Sequence, residues 1–352
     1  MDSLANPDPL NPNLTMTDDA VTTSQIDEAR RSRTLFHDRY AVIRLLGRGG
    51  FGVTYLARDV GLPGRPLCVI KQLCPKVQSP QVLRKARERF EREAKALAYL
   101  GSHSKIPRLL GYFEKGGQFY LVQEYVRGIN LARYVKLHGT FNETQTRAFL
   151  NELLPIVAFI HKHQVIHRDI KPPNIIRCQQ DGRLVLIDFG AVKEEIAQIG
   201  GGAPQMTTQF VGTVGFAPPE QLALRPSYAS DIYSLGVTCL YLLTGKPPLE
   251  MDYDVATGEI IWQDMTTASD YFSQVLSKML KISPRDRYSS VEAVQRALDL
   301  EAHVPSLNDC LSSQPRPSTT ASKDDYLSPI ERTAQSIREL RRRLHRAYAD
   351  PN

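Results

Sequence analysis

One run of eight residues holds the side chains best suited to chemistry. In residues 167–174 (HRDIKPPN), Asp169 is followed two residues later by Lys171 and five residues later by Asn174. An aspartate can orient a hydroxyl and accept its proton, a lysine can neutralise a transferring phosphoryl group, and an asparagine oxygen can bind a metal ion. This combination at fixed spacing indicates phosphoryl transfer more strongly than it indicates a polar loop that follows a helix.

A second motif, Asp188-Phe189-Gly190, begins 14 residues after Asn174 and directly follows the apolar run LVLI. Mg²⁺ takes one or two protein oxygens and completes its shell with water and phosphate oxygens. A carboxylate at the end of a strand suits that requirement. Asp188 is therefore a candidate magnesium ligand.

A glycine cluster lies between two strand-like runs near the start of the chain. Gly47, Gly49 and Gly52 fit the pattern GxGxxG, and glycine allows backbone amides to approach phosphates closely. A strand, not a helix, follows the cluster, which excludes a dinucleotide-binding fold. No GK[ST] sequence closes it, which excludes a Walker loop.

Lys71 lies within the apolar strand CVIKQL, 19 residues after Gly52. A buried ammonium group is costly without an anion, so this lysine suggests a function. Two interpretations remain open at this point. Lys71 either lies on the solvent face of an edge strand or is buried, with Glu93 of the next helix as its partner. Glu93 itself is either that partner or a solvated charge.

The elements that carry these motifs change in character near Gly128. Before Gly128 the sequence predicts mainly strands with one helix, and after it apolar periodicity predicts mainly helices. The predicted elements are strands at 40–50, 51–59 and 67–73, a helix at 82–100, a hairpin at 112–126, helices at 146–163, 228–245, 271–280 and 290–300, and short strands at 165–169 and 183–189.

Taken in order from Gly47 to Arg287, these motifs resemble those of the protein kinase family, over about residues 40–300. The resemblance implies an α+β, two-lobed protein-kinase fold. Its small β-rich N-lobe carries one regulatory helix, its larger C-lobe is mainly helical, and ATP binds between them. The motifs look most like those of bacterial, cyanobacterial-type Ser/Thr kinases.

The resemblance also implies roles at the nucleotide. Gly47, Gly49 and Gly52 would cover the phosphates, and Lys71 would contact the α- and β-phosphates while pairing with Glu93. Adenine would face the hinge backbone, which is assigned to Glu124 and Val126, with Gln123 as gatekeeper.

Further roles implied by the resemblance lie around the transferred phosphoryl group. Asp169 would be the catalytic base, Lys171 would stabilise the γ-phosphate, and Asn174 and Asp188 would hold Mg²⁺. Two positions would support the site: Glu220 would pair with Arg287, and Asp231 would brace the catalytic loop.

Lys171 and Thr213 match the Ser/Thr pattern of the family, so the implied substrates are protein Ser and Thr hydroxyls. The implied enzyme is a non-specific Ser/Thr protein kinase that also autophosphorylates its activation loop. Two other classes remain: a pseudokinase that acts as a scaffold, and a small-molecule kinase of the same fold. The first is disfavoured because Lys71, Asp169, Asn174 and Asp188 are all present. The long segment from Asp188 to Glu220 favours a protein substrate over a small molecule.

Charge and composition exclude several other classes. Lys and Arg outnumber Asp and Glu by 44 to 38, but residues 329–348 alone carry six Arg and two Glu. The remainder is close to neutral, so we expect no nucleic-acid partner. The five cysteines include no CxxC pair, and reduced cysteines are expected. The apolar runs are too short for a membrane span, and the N-terminus is unlike a secretory signal, so a cytoplasmic location is expected.

The predicted organisation has five parts. A polar, disordered leader occupies residues 1–34, in which 26–34 can form a helical turn. The N-lobe occupies 35–126, the C-lobe 127–302, a Pro/Ser-rich linker 303–328 and a basic helix 329–352. The basic helix has three open interpretations: a solvated helix, a short coiled-coil or docking helix that binds a partner or the kinase, and a pseudosubstrate or binder of acidic surfaces.

Thr207 and Thr208 are the predicted regulatory positions. A phosphothreonine in this glycine-rich segment can supply charge-assisted hydrogen bonds to the guanidinium of Arg168. We expect the double variant Thr207→Ala, Thr208→Ala to lose activation, as measured by mass spectrometry of the active enzyme and by kinase assay. Full activity in the double variant would show that the Arg168 pocket needs no phosphate.

Overall fold

The computed structural model describes residues 25–49, 52–73, 80–101, 103–189, 215–223 and 225–301. The chain divides into two units, Met1–Glu301 and Ala302–Asn352, of which the described residues belong to the first. Thr207, Thr208, Thr213, the predicted linker and the predicted basic helix lie outside the described residues.

The first part of the chain forms a six-stranded antiparallel sheet in the order β1-β2-β3-β4-β6-β5. Two helices accompany it. The elements are α1 (Gln25–Ser32), β1 (Leu35–Phe36), β2 (Tyr40–Gly49), β3 (Gly52–Asp59), β4 (Leu67–Leu73), α2 (Pro80–Leu100), β5 (Leu109–Lys115) and β6 (Gln118–Glu124).

The register of the sheet assigns side chains to its two faces. Lys71 of β4 lies opposite Thr54 of β3 and Leu121 of β6, and Thr54 in turn lies opposite Gly47. Because directly opposed residues project to the same face, these four positions form one row. The neighbouring positions, which include Val53 and Tyr120, belong to the opposite face.

The opposite face carries its own hydrophobic core, and α1 covers part of it. Ile26 is fully buried and Ala29 is nearly so, and both pack with Phe36, Tyr40 and Tyr120. Within the predicted leader of residues 1–34, the helical turn expected at 26–34 corresponds to α1, and the structure differs from the prediction in that this helix packs on the sheet. Polar residues surround Ile26 and Ala29, so composition alone gave no sign of this packing.

The second part of the chain is mainly helical. Its elements are β7 (Gly128–Asn130), α3 (Leu131–His138), α4 (Glu143–Lys162), β8 (Ile175–Cys178), β9 (Leu184–Leu186), α5 (Pro219–Leu222), α6 (Tyr228–Thr244), β10 (Asp252–Tyr253), β11 (Ile260–Ile261), α7 (Asp270–Met279) and α8 (Val291–Leu300). Short 3₁₀ turns occupy Pro172–Asn174, Pro248–Glu250 and Gln263–Met265. The expected α+β, two-lobed fold is confirmed. None of the helices within the described ranges has the length and apolar content needed to cross a membrane.

Two long helices organise the core of this part. Helix α4 begins with a capping box between Asn142 and Gln145, which satisfies free backbone N–H groups at its first turn. Helix α6 is buried from residue 230 to residue 242. It ends at Gly245, whose φ of +71° is a left-handed conformation that glycine adopts without strain. The buried α6 thereby becomes a fixed support for neighbouring loops.

The short strands differ from the prediction. Residues 165–169, predicted as a strand, have no regular secondary structure. The strand predicted at 183–189 corresponds to β9, which forms a three-stranded sheet with β7 and β8. Backbone N–H groups of His167 and Arg168 donate to the side chain of Asp231 rather than to a neighbouring strand. Arg168 also has a φ of +66°, which is incompatible with a strand.

The buried Arg287 and the partly buried Glu220 form an ion pair in this part of the chain. Arg287 Nη1 lies 2.6 Å from Glu220 Oε1, and its Nη2 lies 3.0 Å from Oε2. The guanidinium also donates to the carbonyl oxygens of Ala229, Lys281 and Ile282. Burial raises the pKa of Glu220, but hydrogen bonds from Arg287 and Ser230 outweigh it and leave this pKa below its usual value.

Replacing Arg287→Ala should lower the free energy of unfolding by about 2–4 kcal/mol, because it leaves the partly buried carboxylate of Glu220 without its cation. Chemical denaturation measures this loss. Arg285→Ala is the matched control, since Arg285 is exposed two residues away and its removal should leave stability unchanged.

The loss should depend on pH. The pair contributes its full stability above the usual glutamate pKa of 4.5, and the contribution disappears as pH falls through the lowered pKa of the folded state. The difference between the Arg287→Ala variant and the wild type should therefore shrink in acid. An equal difference at pH 7 and well below the usual pKa would contradict this account.

Candidate active site

Lys71 of strand β4 lies between two carboxylates, those of Glu93 and Asp188. Its Nζ lies 2.9 Å from Glu93 Oε1 of helix α2 and also forms an ion pair with Asp188. Strand β4 lies between β3 and β6, so the interpretation of Lys71 as an edge-strand residue is wrong. The interpretation of Glu93 as a solvated charge is also wrong, because this residue is 5% exposed.

The charge on Lys71 is stabilised in spite of its burial. Burial lowers the pKa of Lys71, but the carboxylates of Asp188 and Glu93 outweigh this effect and raise that pKa above its usual value. Lys71 therefore carries a positive charge at physiological pH. A fixed cation of this kind can pair with a phosphate group.

The backbone at the start of residues 167–174, the expected catalytic loop, is held by Asp231, a fully buried residue of helix α6. Its Oδ1 accepts the backbone N–H of Arg168 at 2.9 Å, and its Oδ2 accepts that of His167 at 2.9 Å. His161 Nε2 lies 2.8 Å from the same Oδ2. A further support is Gln221 Nε2, which donates to the carbonyl oxygen of Arg168 at 2.7 Å.

The three polar residues of the loop converge on one another. Lys171 Nζ lies 3.0 Å from Asp169 Oδ1, and Asn174 Nδ2 donates to Asp169 Oδ2 at 2.6 Å. The same amide donates to the backbone carbonyl of Asp169 at 2.9 Å. All three side chains are largely buried, so their geometry is fixed before any substrate binds.

Asp188 adjoins this group through the backbone. The N–H of Ile187 donates to the carbonyl oxygen of Asn174 at 2.9 Å, which places the two segments side by side. The ring of Phe189 packs on that of His167 with centroids 4.7 Å apart. Asp188 has a φ of +64°, a strained conformation for a residue with a side chain, and such strain concentrates at functional sites.

The donor set of Asn174 and Asp188 fits a hard divalent cation. The amide nitrogen of Asn174 is committed to Asp169, which leaves its amide oxygen as the atom able to face a metal. Among the described residues, no group of three or more His, Cys, Asp and Glu could hold a metal ion. A metal at this position must therefore complete its shell with water and phosphate, which is the coordination that Mg²⁺ prefers.

The glycines of the cluster differ in what they contact. A Cβ on Gly52 would collide with the backbone carbonyl of Gln72, so the packing of β3 against β4 requires glycine there. A Cβ on Gly47 would meet no atom of the described residues within 4 Å. Gly47 lies on the same face as Lys71, with Thr54 of β3 between the two positions. Gly49 pairs with Gly52 where β2 and β3 meet.

The expected hinge residues lie where the two parts of the chain join. Glu124 ends β6, and its backbone N–H donates to the carbonyl oxygen of Arg108 at 2.9 Å. Gln123 is buried opposite Val69 of β4. Val126 belongs to the short connection without regular structure between β6 and β7.

Two residues support the loop without belonging to any of the sequence motifs. His161 contacts the catalytic-loop support Asp231, and Gln221 contacts the loop itself. No signal in the sequence identifies Gln221, because its partner lies 53 residues earlier in the chain. The position of His161 at the end of α4, six residues before His167, is the one local indication of its role.

Comparison with known proteins defines the class. The family model for the protein kinase domain matches residues 40–298, so the chain belongs to the protein kinase family. The expected resemblance to cyanobacterial kinases is confirmed.

The chain is 49% identical over 328 residues to Serine/threonine-protein kinase B of Synechocystis sp., an alignment that covers 92% of this chain and 56% of that protein. It is 44% identical to Serine/threonine-protein kinase PknA of Nostoc sp., covering 76% of this chain and 48% of that one.

The chain spans about half the length of these curated relatives. Among solved structures it resembles the PknI kinase domain of M. tuberculosis, with a TM-score of 0.59 and 25% identity. That alignment covers 78% of this chain and 99% of the other.

Replacing Asp231→Asn should disorganise the catalytic loop. An amide NH₂ in place of one carboxylate oxygen would face a backbone N–H, which leaves two donors opposed in a buried position. We expect a loss of about 1–3 kcal/mol in the free energy of unfolding. We also expect a fall of about 10- to 100-fold in phosphoryl transfer.

Denaturation and a labelled-ATP assay measure the two effects. Asp252→Asn, at an exposed position in β10, is the matched control and should alter neither quantity. Wild-type activity in a folded Asp231→Asn protein would show that the loop keeps its conformation without this carboxylate.

Proposed function

We propose that this protein is a Ser/Thr protein kinase, which transfers the γ-phosphoryl group of Mg-ATP to Ser and Thr hydroxyls of proteins. The observation that carries the proposal is the fixed group of Asp169, Lys171 and Asn174, which adjoins the ion-paired Lys71 through Asp188. Membership of the protein kinase family supports it.

The nucleotide would lie between the sheet and the helical part. Gly47, Gly49 and Gly52 would cover its phosphates, and Lys71, held by Glu93, would contact the α- and β-phosphates. The backbone of Glu124 and Val126 would face adenine, with the buried Gln123 behind it. The open space beside Gly47, on the same face as Lys71, supports this placement.

In the proposed reaction Asp169 orients the substrate hydroxyl and accepts its proton. Lys171 neutralises charge on the γ-phosphoryl group as it transfers, and its contact with Asp169 keeps the two groups in place. Asn174 and Asp188 would hold Mg²⁺, which when bound neutralises phosphate charge. Positioning and charge stabilisation therefore account for most of the rate enhancement.

The proposed substrates are Ser and Thr side chains of proteins. Lys171 at its position within the loop supports this class, and both cyanobacterial relatives carry Ser/Thr kinase names. A pseudokinase is the second candidate class, but the buried pair of Lys71 and Glu93 and the group around Asp169 retain the polar residues that catalysis needs. Docking by the basic helix at 329–352 and autophosphorylation of the activation loop stay predictions.

The proposal predicts that Lys71→Ala, Asp188→Ala and Asp169→Asn each reduce phosphoryl transfer by about 100-fold or more, because each removes a fixed charge at the reacting groups. The assay is transfer of labelled phosphate from ATP to a generic protein substrate and to the kinase itself.

Lys95→Ala is the matched control, because Lys95 is exposed on α2, two residues from Glu93, and should retain activity. Circular dichroism establishes that each variant is folded. Near-normal labelling by a folded Asp169→Asn protein would refute the assignment of the base, and an inactive wild type would favour the pseudokinase.

A further inference from the structure

Strand β9 leads into Asp188 and lies at the edge of the sheet β7-β8-β9. All three of its residues are buried, so N–H groups on its outer side need acceptors other than water. The N–H of Leu184 donates to Glu152 Oε1 of helix α4 at 2.8 Å, and that of Leu186 donates to the carbonyl oxygen of Lys105 at 3.0 Å. These two acceptors take the place of a further strand at the edge of β9.

Glu152 and Lys105 also contact each other. Lys105 Nζ lies 3.0 Å from the same Oε1 atom that accepts the N–H of Leu184. One carboxylate oxygen thus joins the backbone of β9 to a lysine that lies between helix α2 and strand β5. The side chains of Lys105 and Glu152 are 28% and 30% exposed, so solvent screens their attraction, whereas the hydrogen bond to the buried Leu184 is screened less.

The backbone around Lys105 is held against α4 at a second point. The ring of His103 packs on that of Phe159 with centroids 4.6 Å apart. Phe159 lies seven residues after Glu152 and therefore on the same face of α4. The Nδ1 atom of His103 accepts the backbone N–H of Lys105 at 3.2 Å. Helix α4 therefore supports this backbone and, through Glu152, the strand beside it.

The position of β9 affects that of Asp188. Only Ile187 separates Leu186 from Asp188, and the N–H of Ile187 donates to the carbonyl oxygen of Asn174 at 2.9 Å. A displacement of 1 Å at a reacting group can cost about 100-fold in rate. The restraint on β9 is therefore relevant to phosphoryl transfer as well as to stability.

We propose that Glu152 is a positioning residue, which accepts the N–H of Leu184 and so fixes β9 in the position that places Asp188 at the site. The ion pair with Lys105 orients the carboxylate of Glu152. This inference rests on the proposed function, since it concerns the same candidate magnesium ligand. Glu152 acts through the backbone of β9 and is not a catalytic residue.

The test separates the two contacts of Glu152 with three variants of the full chain. Glu152→Gln keeps an oxygen that can accept the N–H of Leu184 but removes the charge that attracts Lys105. Lys105→Met removes the same attraction from the other side, and Glu152→Ala removes both contacts. Glu259→Ala is the matched control, because it removes an ion pair of similar length and exposure, with Lys281.

Three quantities are measured below the unfolding transition: hydrogen exchange of the Leu184 amide in the nucleotide-free protein, kcat, and the Mg²⁺ concentration that gives half-maximal activity. We expect Glu152→Ala to accelerate the exchange by about tenfold or more. It should also lower kcat by about tenfold and raise the required Mg²⁺ concentration by about three- to tenfold.

The other variants should behave differently. Glu152→Gln and Lys105→Met should stay within about threefold of the wild type in all three quantities, because the screened ion pair contributes little. Glu259→Ala should match the wild type. Rescue by glutamine is the result that distinguishes positioning of β9 from a requirement for negative charge at this position.

Two results would overturn the inference. If Glu152→Ala lowers only the midpoint of thermal unfolding and leaves kcat and the Mg²⁺ requirement unchanged, the carboxylate serves stability alone. If Glu152→Gln is as impaired as Glu152→Ala, the charge is required and the hydrogen bond to Leu184 is not the cause.

Two further provisions keep the test decisive. If Glu152→Ala does not fold, Glu152→Met replaces it with the same expected values, because methionine keeps the volume of the side chain without the acceptor oxygen. A wild-type protein that transfers no phosphate would refute the proposed function instead. The exchange of the Leu184 amide would then still show whether Glu152 restrains β9, and unchanged exchange in Glu152→Ala would refute that restraint.

Discussion

The contact on which the arrangement of the site depends is the ammonium group of Lys71 between two carboxylates. Removing such a charge from water costs several kcal/mol, which only well-placed anions can offset. Glu93 comes from helix α2 and Asp188 from the segment after strand β9, so one cation joins the sheet, its helix and the second part of the chain. The position of α2 on the sheet is thus coupled to the electrostatics of the candidate site.

The second constraint concerns irregular backbone. Side chains from separate segments can converge only where the chain leaves helix and strand, yet buried backbone N–H groups still need acceptors. Asp231 supplies two such acceptors to the catalytic loop from the rigid helix α6. Arg287 performs the complementary task by donating to carbonyl oxygens near the end of α7 while neutralising Glu220. Buried charges here replace the hydrogen bonds that secondary structure provides elsewhere.

These constraints explain what could be predicted from the sequence. Asp169, Lys171 and Asn174 lie within six residues of one another, so their side chains converge through local structure alone and their spacing in the sequence predicts the contact. The strand prediction for residues 165–169 failed because the hydrogen bonds of that segment go to Asp231, more than sixty residues away. The helical turn expected at residues 26–34 corresponds to α1, but its packing was not predicted, because its burial depends on a surface that only the folded sheet creates.

Near Gly47, strand β2 presents different groups on its two faces. On the face toward Lys71, phosphate can approach the backbone only where no side chain intervenes. Gly47 meets this requirement, although a Cβ at this position would contact no atom of the described residues. Gly52 is different, because the carbonyl of Gln72 leaves no room for a Cβ and the strand pairing itself fixes the residue. Arg48, between Gly47 and Gly49, has its side chain on the side away from Lys71, where it contacts Asp27 of helix α1. Because side chains alternate along a strand, β2 places the backbone of Gly47 on the face of Lys71 and the side chain of Arg48 on the opposite face.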